Sequence, residues 1–269
     1  MNAHDGEPAQ GMHVVHDGPR QAPPLLLIHG SGASGGSWSP VVPVLAGSRH
    51  VLRVDLPGCG QSPPAASSDV PAQARVVAAR LDRLGLGPLT VVGHSSGGYV
   101  ATALAEQRPD LVRSIALIST GPSLGALLPQ PLVLRVLLGP PLGPLLWAKR
   151  SDTMIRKGLR ATAARPVDVP DDMVAEMRGT AYRTFRTVLR RGTEYLAERS
   201  VPERLTALGL PVLAVFGTAD PRWEPSSVHQ YDAVPNARVE QLPGVGHLPM
   251  LEAPEATGGL LLDFTATDR

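Results

Sequence analysis

Two Gly-x-Ser-x-Gly segments in this 269-residue chain carry residue types suited to nucleophilic catalysis: Gly32-Ala33-Ser34-Gly35-Gly36 and Gly93-His94-Ser95-Ser96-Gly97. The pattern matters where a buried strand runs into a sharp turn and then a helix, because that turn presents the serine hydroxyl at a sheet edge. The first segment lies well inside a Gly/Ser loop. The second follows Val91-Val92 and precedes Tyr99-Val-Ala-Thr-Ala-Leu104, so it has the required context. Ser95 is the candidate nucleophile. The N-terminal N–H groups of the helix that follows would favour negative charge developing there.

A serine hydroxyl is a weak nucleophile near neutral pH and needs a base that is itself oriented by a third group. Of eight histidines, His4, His13 and His16 lie near the N-terminus, His29 and His94 adjoin turn glycines, His50 precedes a strand pattern, and His229 sits in a helical one. His247 stands in Pro243-Gly-Val-Gly-His247-Leu-Pro249, a loop directly after a strand pattern, from which it could reach Ser95. Two aspartates follow strand patterns directly, Asp55 and Asp220. On a strand–helix frame the expected chain order is Ser, acid, His. Asp220 satisfies it. Asp55 comes before Ser95 and is assigned a structural part, ordering the Pro57-Gly58 turn through backbone hydrogen bonds.

The elements that must position these residues are legible as an alternation. Short stretches at 24–28, 51–55, 89–92, 115–118, 212–216 and 238–242 predict strands, and the continuous apolar run at 24–28 is expected to be buried on both faces. Helical patterns fall at 69–84, 99–107 and 226–232, with a closing helix beyond 252. Strand–helix alternation implies an α/β fold, a mostly parallel doubly wound sheet flanked by helices. Between 121 and 199 the alternation stops and only Pro-punctuated apolar segments and Arg-rich helical patterns remain. That stretch is expected to be a helical lid inserted in a core of 11–120 and 200–269, after a disordered tail over 1–10.

Composition narrows the functions. With 25 Lys+Arg against 24 Asp+Glu, the net charge of +1 leaves no basic footprint for nucleic acid. A single cysteine, Cys59, allows neither an internal disulfide nor a multi-cysteine metal site. No secretory signal is visible, and prolines interrupt the most apolar stretch, 124–147, so no membrane span is expected. A cytoplasmic location, and a monomer or homodimer acting on a small molecule, are the resulting expectations.

Taken together, His29-Gly30-Ser31-Gly32 before Trp38, Asp55-Leu-Pro-Gly-Cys-Gly-Gln-Ser62, Gly93-His-Ser-Ser-Gly-Gly98, Gly217-Thr-Ala-Asp220 and Gly244-Val-Gly-His247 resemble the α/β-hydrolase superfamily over nearly the whole chain. The resemblance implies a triad of Ser95, His247 and Asp220. It also implies an oxyanion hole from the backbone N–H groups of Ser31 and Ser96, and it implies no cofactor or metal. Ser95 departs from relatives similar to haloalkane dehalogenases or epoxide hydrolases, which carry Asp there. Cys59 stands where relatives often have His. The implied reaction is cleavage of a small-to-medium apolar carboxylic ester, lactone or thioester through an acyl-enzyme. The alternatives are a carbon–carbon bond hydrolase, cyclase or lyase on the same triad, or a non-catalytic binding protein. Trp38, Leu127, Leu146 and Trp147 are expected to line the substrate pocket, among the insertion's other apolar residues at 124, 128, 132–134, 136–138, 142 and 145. The arginines at 183, 186, 190 and 191 read as a solvated helix face.

Overall fold

In the run Pro24–Ile28, Leu25 and Leu27 pack into one hydrophobic cluster while Leu26 and Ile28 pack into another. Side chains on a strand alternate faces, so a run that is apolar at every position is a strand covered on both sides. The computed structural model describes residues 11–129 and 139–266. The tail expected over 1–10 and the insertion residues 132–138 lie outside the described residues.

The described strands are β1 (Val14–Asp17), β2 (Pro24–Ile28), β3 (His50–Val54), β4 (Leu89–His94), β5 (Val112–Ile118), β6 (Val212–Gly217) and β7 (Ala237–Leu242). They form one sheet in the order β1-β3-β2-β4-β5-β6-β7. Only β1 runs antiparallel, with Val14 opposite Val54; the other pairs are parallel. β1 is absent from the sequence expectation because four half-buried residues at a sheet edge carry no periodic signal.

The described helices are α1 (Val42–Leu45), α2 (Val70–Leu84), α3 (Ser96–Gln107), α4 (Leu142–Ala148), α5 (Asp152–Arg160), α6 (Asp171–Gly179), α7 (Tyr182–Glu198), α8 (Val201–Leu208), α9 (Pro249–Glu252) and α10 (Pro254–Ala266). Asp69 caps α2, its side chain accepting from Ala72 N, and Gly85 ends the helix in the left-handed conformation. Ser200 and Glu203 form a reciprocal capping box on α8. Residues α2, α3 and α8 contribute to the cluster on one sheet face, and α10 contributes to the other. The segment read as a helix at 226–232 is a 3-10 helix, Pro225–Ala233.

Between β5 and β6 the described residues form α4 to α8 and a 3-10 turn at Leu124–Ala126. Ile155, Val167, Val169, Met173 and Val174 make a small core of their own there. The strand order reverses direction at β2, which has β3 on one side and β4 on the other. In open α/β sheets, ligands bind beyond the strand C-termini at such a switch point. The loops after β2 and β4 carry Ser31 and Ser95.

Candidate active site

Ser95 sits at φ 51°, ψ −121°, between β4 and α3. A non-glycine residue in this region is strained and persists only where its surroundings enforce it. Close packing does so here. A Cβ on Gly93 would lie 2.4 Å from the Gly98 Cα, one on Gly97 would lie 2.4 Å from the His29 carbonyl, and one on Gly98 would lie 2.1 Å from Thr120 Oγ1. The glycines of the motif are therefore demanded by backbone contact as well as by the turn.

His247 Nε2 lies 3.1 Å from Ser95 Oγ, and His247 Nδ1 lies 2.8 Å from Asp220 Oδ2. All three residues are buried. The other Asp220 oxygen accepts from the backbone N–H groups of Arg222, at 2.8 Å, and Trp223, at 3.2 Å. These bonds hold the carboxylate in the orientation that presents Oδ2 to the imidazole. With Nδ1–H donated to Asp220, Nε2 is left as an acceptor facing the serine hydroxyl, which is the tautomer a general base requires.

The loop after β2 runs against this turn. A Cβ on Gly30 would lie 2.9 Å from His94 Nδ1 and 3.2 Å from Ser95 Cβ. Ser31 Oγ donates to Ser96 Oγ at 2.8 Å. Ser96 opens α3, so its N–H has no acceptor within the helix. The structure thus brings Ser31 and Ser96 together beside Ser95.

A cavity of about 360 Å³, counted with the solvent at its mouth, adjoins Ser95. Ser31, Ser96, Tyr99, Leu124, Leu127, Val188, Leu189, Leu196, Arg222 and Trp223 contribute to its wall. Leu127 stands in this wall, whereas Trp38, Leu146 and Trp147 stand elsewhere. Trp38 is enclosed in the sheet core, edge-on to His94. Trp147 stacks on Phe185 with centroids 4.6 Å apart, lies under the Arg150 guanidinium, and donates its indole N–H to the Thr180 carbonyl. It fastens helices of the insertion to one another. Leu146 is exposed on the same helix.

Several supporting residues were not singled out for these parts in the sequence. His94 is buried, and its Nε2 donates to the His247 carbonyl at 2.9 Å. Burial, with the neighbouring His247 adding to it, lowers the His94 pKa to about 3, so the ring is neutral. Buried His29 is likewise held below the ordinary range, accepting from Leu56 N and donating to the Gly30 carbonyl. Glu252 accepts four backbone N–H groups, from Ala164, Arg165, Gly246 and Leu248. Those bonds clasp the His247 loop to the insertion. Tyr99 follows Ser95 by four positions, one helical turn, and that spacing was the available signal for it.

Asp55 is structural, but its carboxylate ties three other segments together, accepting from Gly35 N at 2.7 Å, Gln61 N at 2.9 Å and His13 Nδ1, while the Pro57-Gly58 turn is held by Gly58 N to the Pro63 carbonyl and Cys59 N to the Leu56 carbonyl. Among the described residues, no group of three or more His, Cys, Asp or Glu is placed to hold a metal ion, and no helix is long and apolar enough to cross a membrane.

A family model described as the Alpha/beta hydrolase family matches residues 25–258. A pimeloyl-(acyl-carrier protein) methyl ester esterase of Neisseria meningitidis is 30% identical over 245 residues, covering 89% of this chain and 92% of the relative. One of the same name from Aeromonas hydrophila is 32% identical over 241 residues, covering 87% and 92%. Among solved structures, carboxylesterase CesB of Bacillus subtilis has a TM-score of 0.74 at 20% identity, over 95% of this chain and 88% of its own, a likeness of fold.

Proposed function

We propose a function from one premise: this chain belongs to the alpha/beta hydrolase family. It is an ester hydrolase, and the finer reading is a serine hydrolase that cleaves a small-to-medium apolar carboxylic ester, lactone or thioester through an acyl-enzyme. The observation that carries this reading is the unbroken hydrogen-bond chain Ser95–His247–Asp220 at the edge of a cavity.

In this mechanism His247 Nε2 takes the Ser95 proton as Oγ attacks the substrate carbonyl. The imidazolium so formed is stabilised by Asp220. The oxyanion of the tetrahedral intermediate sits against the backbone N–H groups of Ser31 and Ser96, where one strong donor contributes about 3–4 kcal/mol to rate. Collapse of the intermediate expels the alcohol or thiol, which receives its proton from His247. Water, activated by His247, then attacks the acyl carbonyl, and Ser95 leaves with the proton restored.

The apolar side chains of Leu124, Leu127, Val188, Leu189 and Leu196 support a hydrocarbon acyl group. The names of the curated relatives support a methyl ester of a carboxylic acid as the group cleaved. On this reading residues 121–199 are a lid over a core of 11–120 and 200–269, and α7 supplies much of the cavity roof. Labelling with a fluorophosphonate probe, mapped by peptide mass spectrometry, tests the nucleophile: modification of Ser95 is expected, and a chain left unlabelled at Ser95 refutes it. Rates across p-nitrophenyl esters of increasing chain length measure the cavity in the same experiment.

A further inference from the structure

Three polar side chains in the wall of the Ser95 cavity have no hydrogen-bond partner. Tyr99, Arg222 and Trp223 all line it, and Tyr99 Oη, Arg222 Nε and Trp223 Nε1 are each buried and unpaired. Tyr99 and Trp223 are only 4% exposed. A buried donor without an acceptor is costly, and three around one cavity call for an occupant that accepts hydrogen bonds. The guanidinium and the indole N–H can only donate, and the tyrosine hydroxyl can also donate.

Charge points the same way. The Arg222 guanidinium lies 5.8 Å from the Trp223 ring centroid, and no Asp or Glu stands among the lining residues. Burial pushes the Tyr99 hydroxyl above its ordinary pKa, while the positive charge of Arg222 pulls it back in part, so the two groups are within electrostatic reach. The Arg222 backbone is tied on both sides: its N–H donates to the Asp220 carboxylate, and its carbonyl accepts from Leu128 N at 3.0 Å. The cation is thereby set at a fixed distance along the chain from the acid that orients His247.

We propose that Arg222, Tyr99 and Trp223 form an anion-recognising subsite beside Ser95, which selects esters bearing a carboxylate at the far end of the acyl chain. The inference rests on the ester-hydrolase reading of Ser95 and names its substrate class: half-esters of dicarboxylic acids. The leucines and valine of the wall cover the methylenes between the carboxylate and the scissile ester. Arg suits this task because its planar fork matches a carboxylate and stays charged at any working pH.

The test uses the full chain and two matched ester pairs. Mono-p-nitrophenyl adipate against p-nitrophenyl hexanoate puts the carboxylate on the acyl side. The second pair, 4-carboxyphenyl butyrate against phenyl butyrate, puts it on the leaving group. In the first pair kcat/KM is expected to favour the anionic ester by about tenfold or more, as a charge-assisted hydrogen bond implies. Arg222→Met is expected to bring that ratio to about one, Arg222→Lys to restore part of it, and Tyr99→Phe to lower it severalfold. Because the readout is a ratio within one preparation, a loss of folded protein cancels.

A preference confined to the second pair overturns the acyl-side placement. No preference in either pair, or a preference unmoved in Arg222→Met, overturns the subsite and leaves the donors to cavity water. Turnover of neutral esters without preference sinks the subsite alone. If no ester is cleaved, the catalytic reading fails by itself, and calorimetric titration still tests the subsite: monomethyl adipate binding more tightly than methyl hexanoate in an Arg222-dependent way supports it, and equal or absent binding refutes it.

Discussion

His94 Nε2 donates a 2.9 Å hydrogen bond to the main-chain carbonyl of His247, so the residue before the candidate nucleophile holds the loop that carries the candidate base. Two segments far apart in sequence are locked at the point where a proton must pass between them. His94 does not line the cavity, so the part expected of it is to position His247. His94→Ala is expected to lower kcat by about tenfold while KM stays near its starting value, since misplacing a base by a fraction of an ångström weakens proton transfer more than binding. Steady-state kinetics decide it. A rise in KM with kcat intact would mean that the bond serves something other than alignment.

Glu252 makes the corresponding clasp from below. Its carboxylate gathers the N–H groups of Ala164, Arg165, Gly246 and Leu248, while His247 N donates to the Thr162 carbonyl. In Glu252→Gln an amide replaces one of the acceptor oxygens and turns its own donors toward backbone donors. Hydrogen bonds to a buried charged group are worth about 1.5–3 kcal/mol. Urea unfolding is expected to show a loss of about 2–3 kcal/mol on that scale. A loss below about 0.5 kcal/mol, the range of ordinary surface substitutions, would remove the clasp from the explanation.

Acid should loosen the fold before the carboxylates titrate. His94 is held at about 3 and His29 is also lowered, in both cases chiefly by burial. The unfolded chain takes up a proton on each near pH 6.5, while the folded chain does not until well below that. The unfolded state therefore binds more protons in this window, and stability is lost as pH falls from 6.5. The slope is at most about 1.4 kcal/mol per pH unit for each group. Urea midpoints at pH 7.5 and 5.5 measure it. A midpoint that is unchanged or higher at pH 5.5 would contradict the enclosure of these rings.

Cys59 should be silent in the native protein. It is buried, and burial together with the nearby Asp55 charge raises its thiol to about 12. The reactive thiolate is then negligible at pH 8. Ellman's reagent is expected to titrate no thiol in the folded chain and one after unfolding in urea. Prompt reaction of the native protein would show that the turn after β3 opens readily.

The sequence revealed those parts of the site that are local in the chain. Ser95 is readable as a candidate because a strand pattern, a turn and a helix pattern adjoin it, and Asp220 and His247 because each stands in a loop after a strand pattern. The parts built by distant contacts were hidden. Glu252 reads as an ordinary helix residue until residues 164 and 246 are brought to it, and β1 was too short to show a period. Hydrophobicity alone places Trp147 in the pocket, whereas the folded chain joins it to Phe185 and Thr180. Arg222 and Trp223 carry no such signal, because their polar atoms become enclosed only when the fold forms.

The central claim is that an acyl group passes through the Ser95 oxygen. Rapid quenching during turnover of p-nitrophenyl acetate, followed by peptide mass spectrometry, observes that oxygen directly. An acetyl group on the peptide containing Ser95 is expected, together with a burst of p-nitrophenol equal to the enzyme present and loss of both in Ser95→Ala. Steady hydrolysis with no acetyl on Ser95, undiminished in Ser95→Ala, would contradict it.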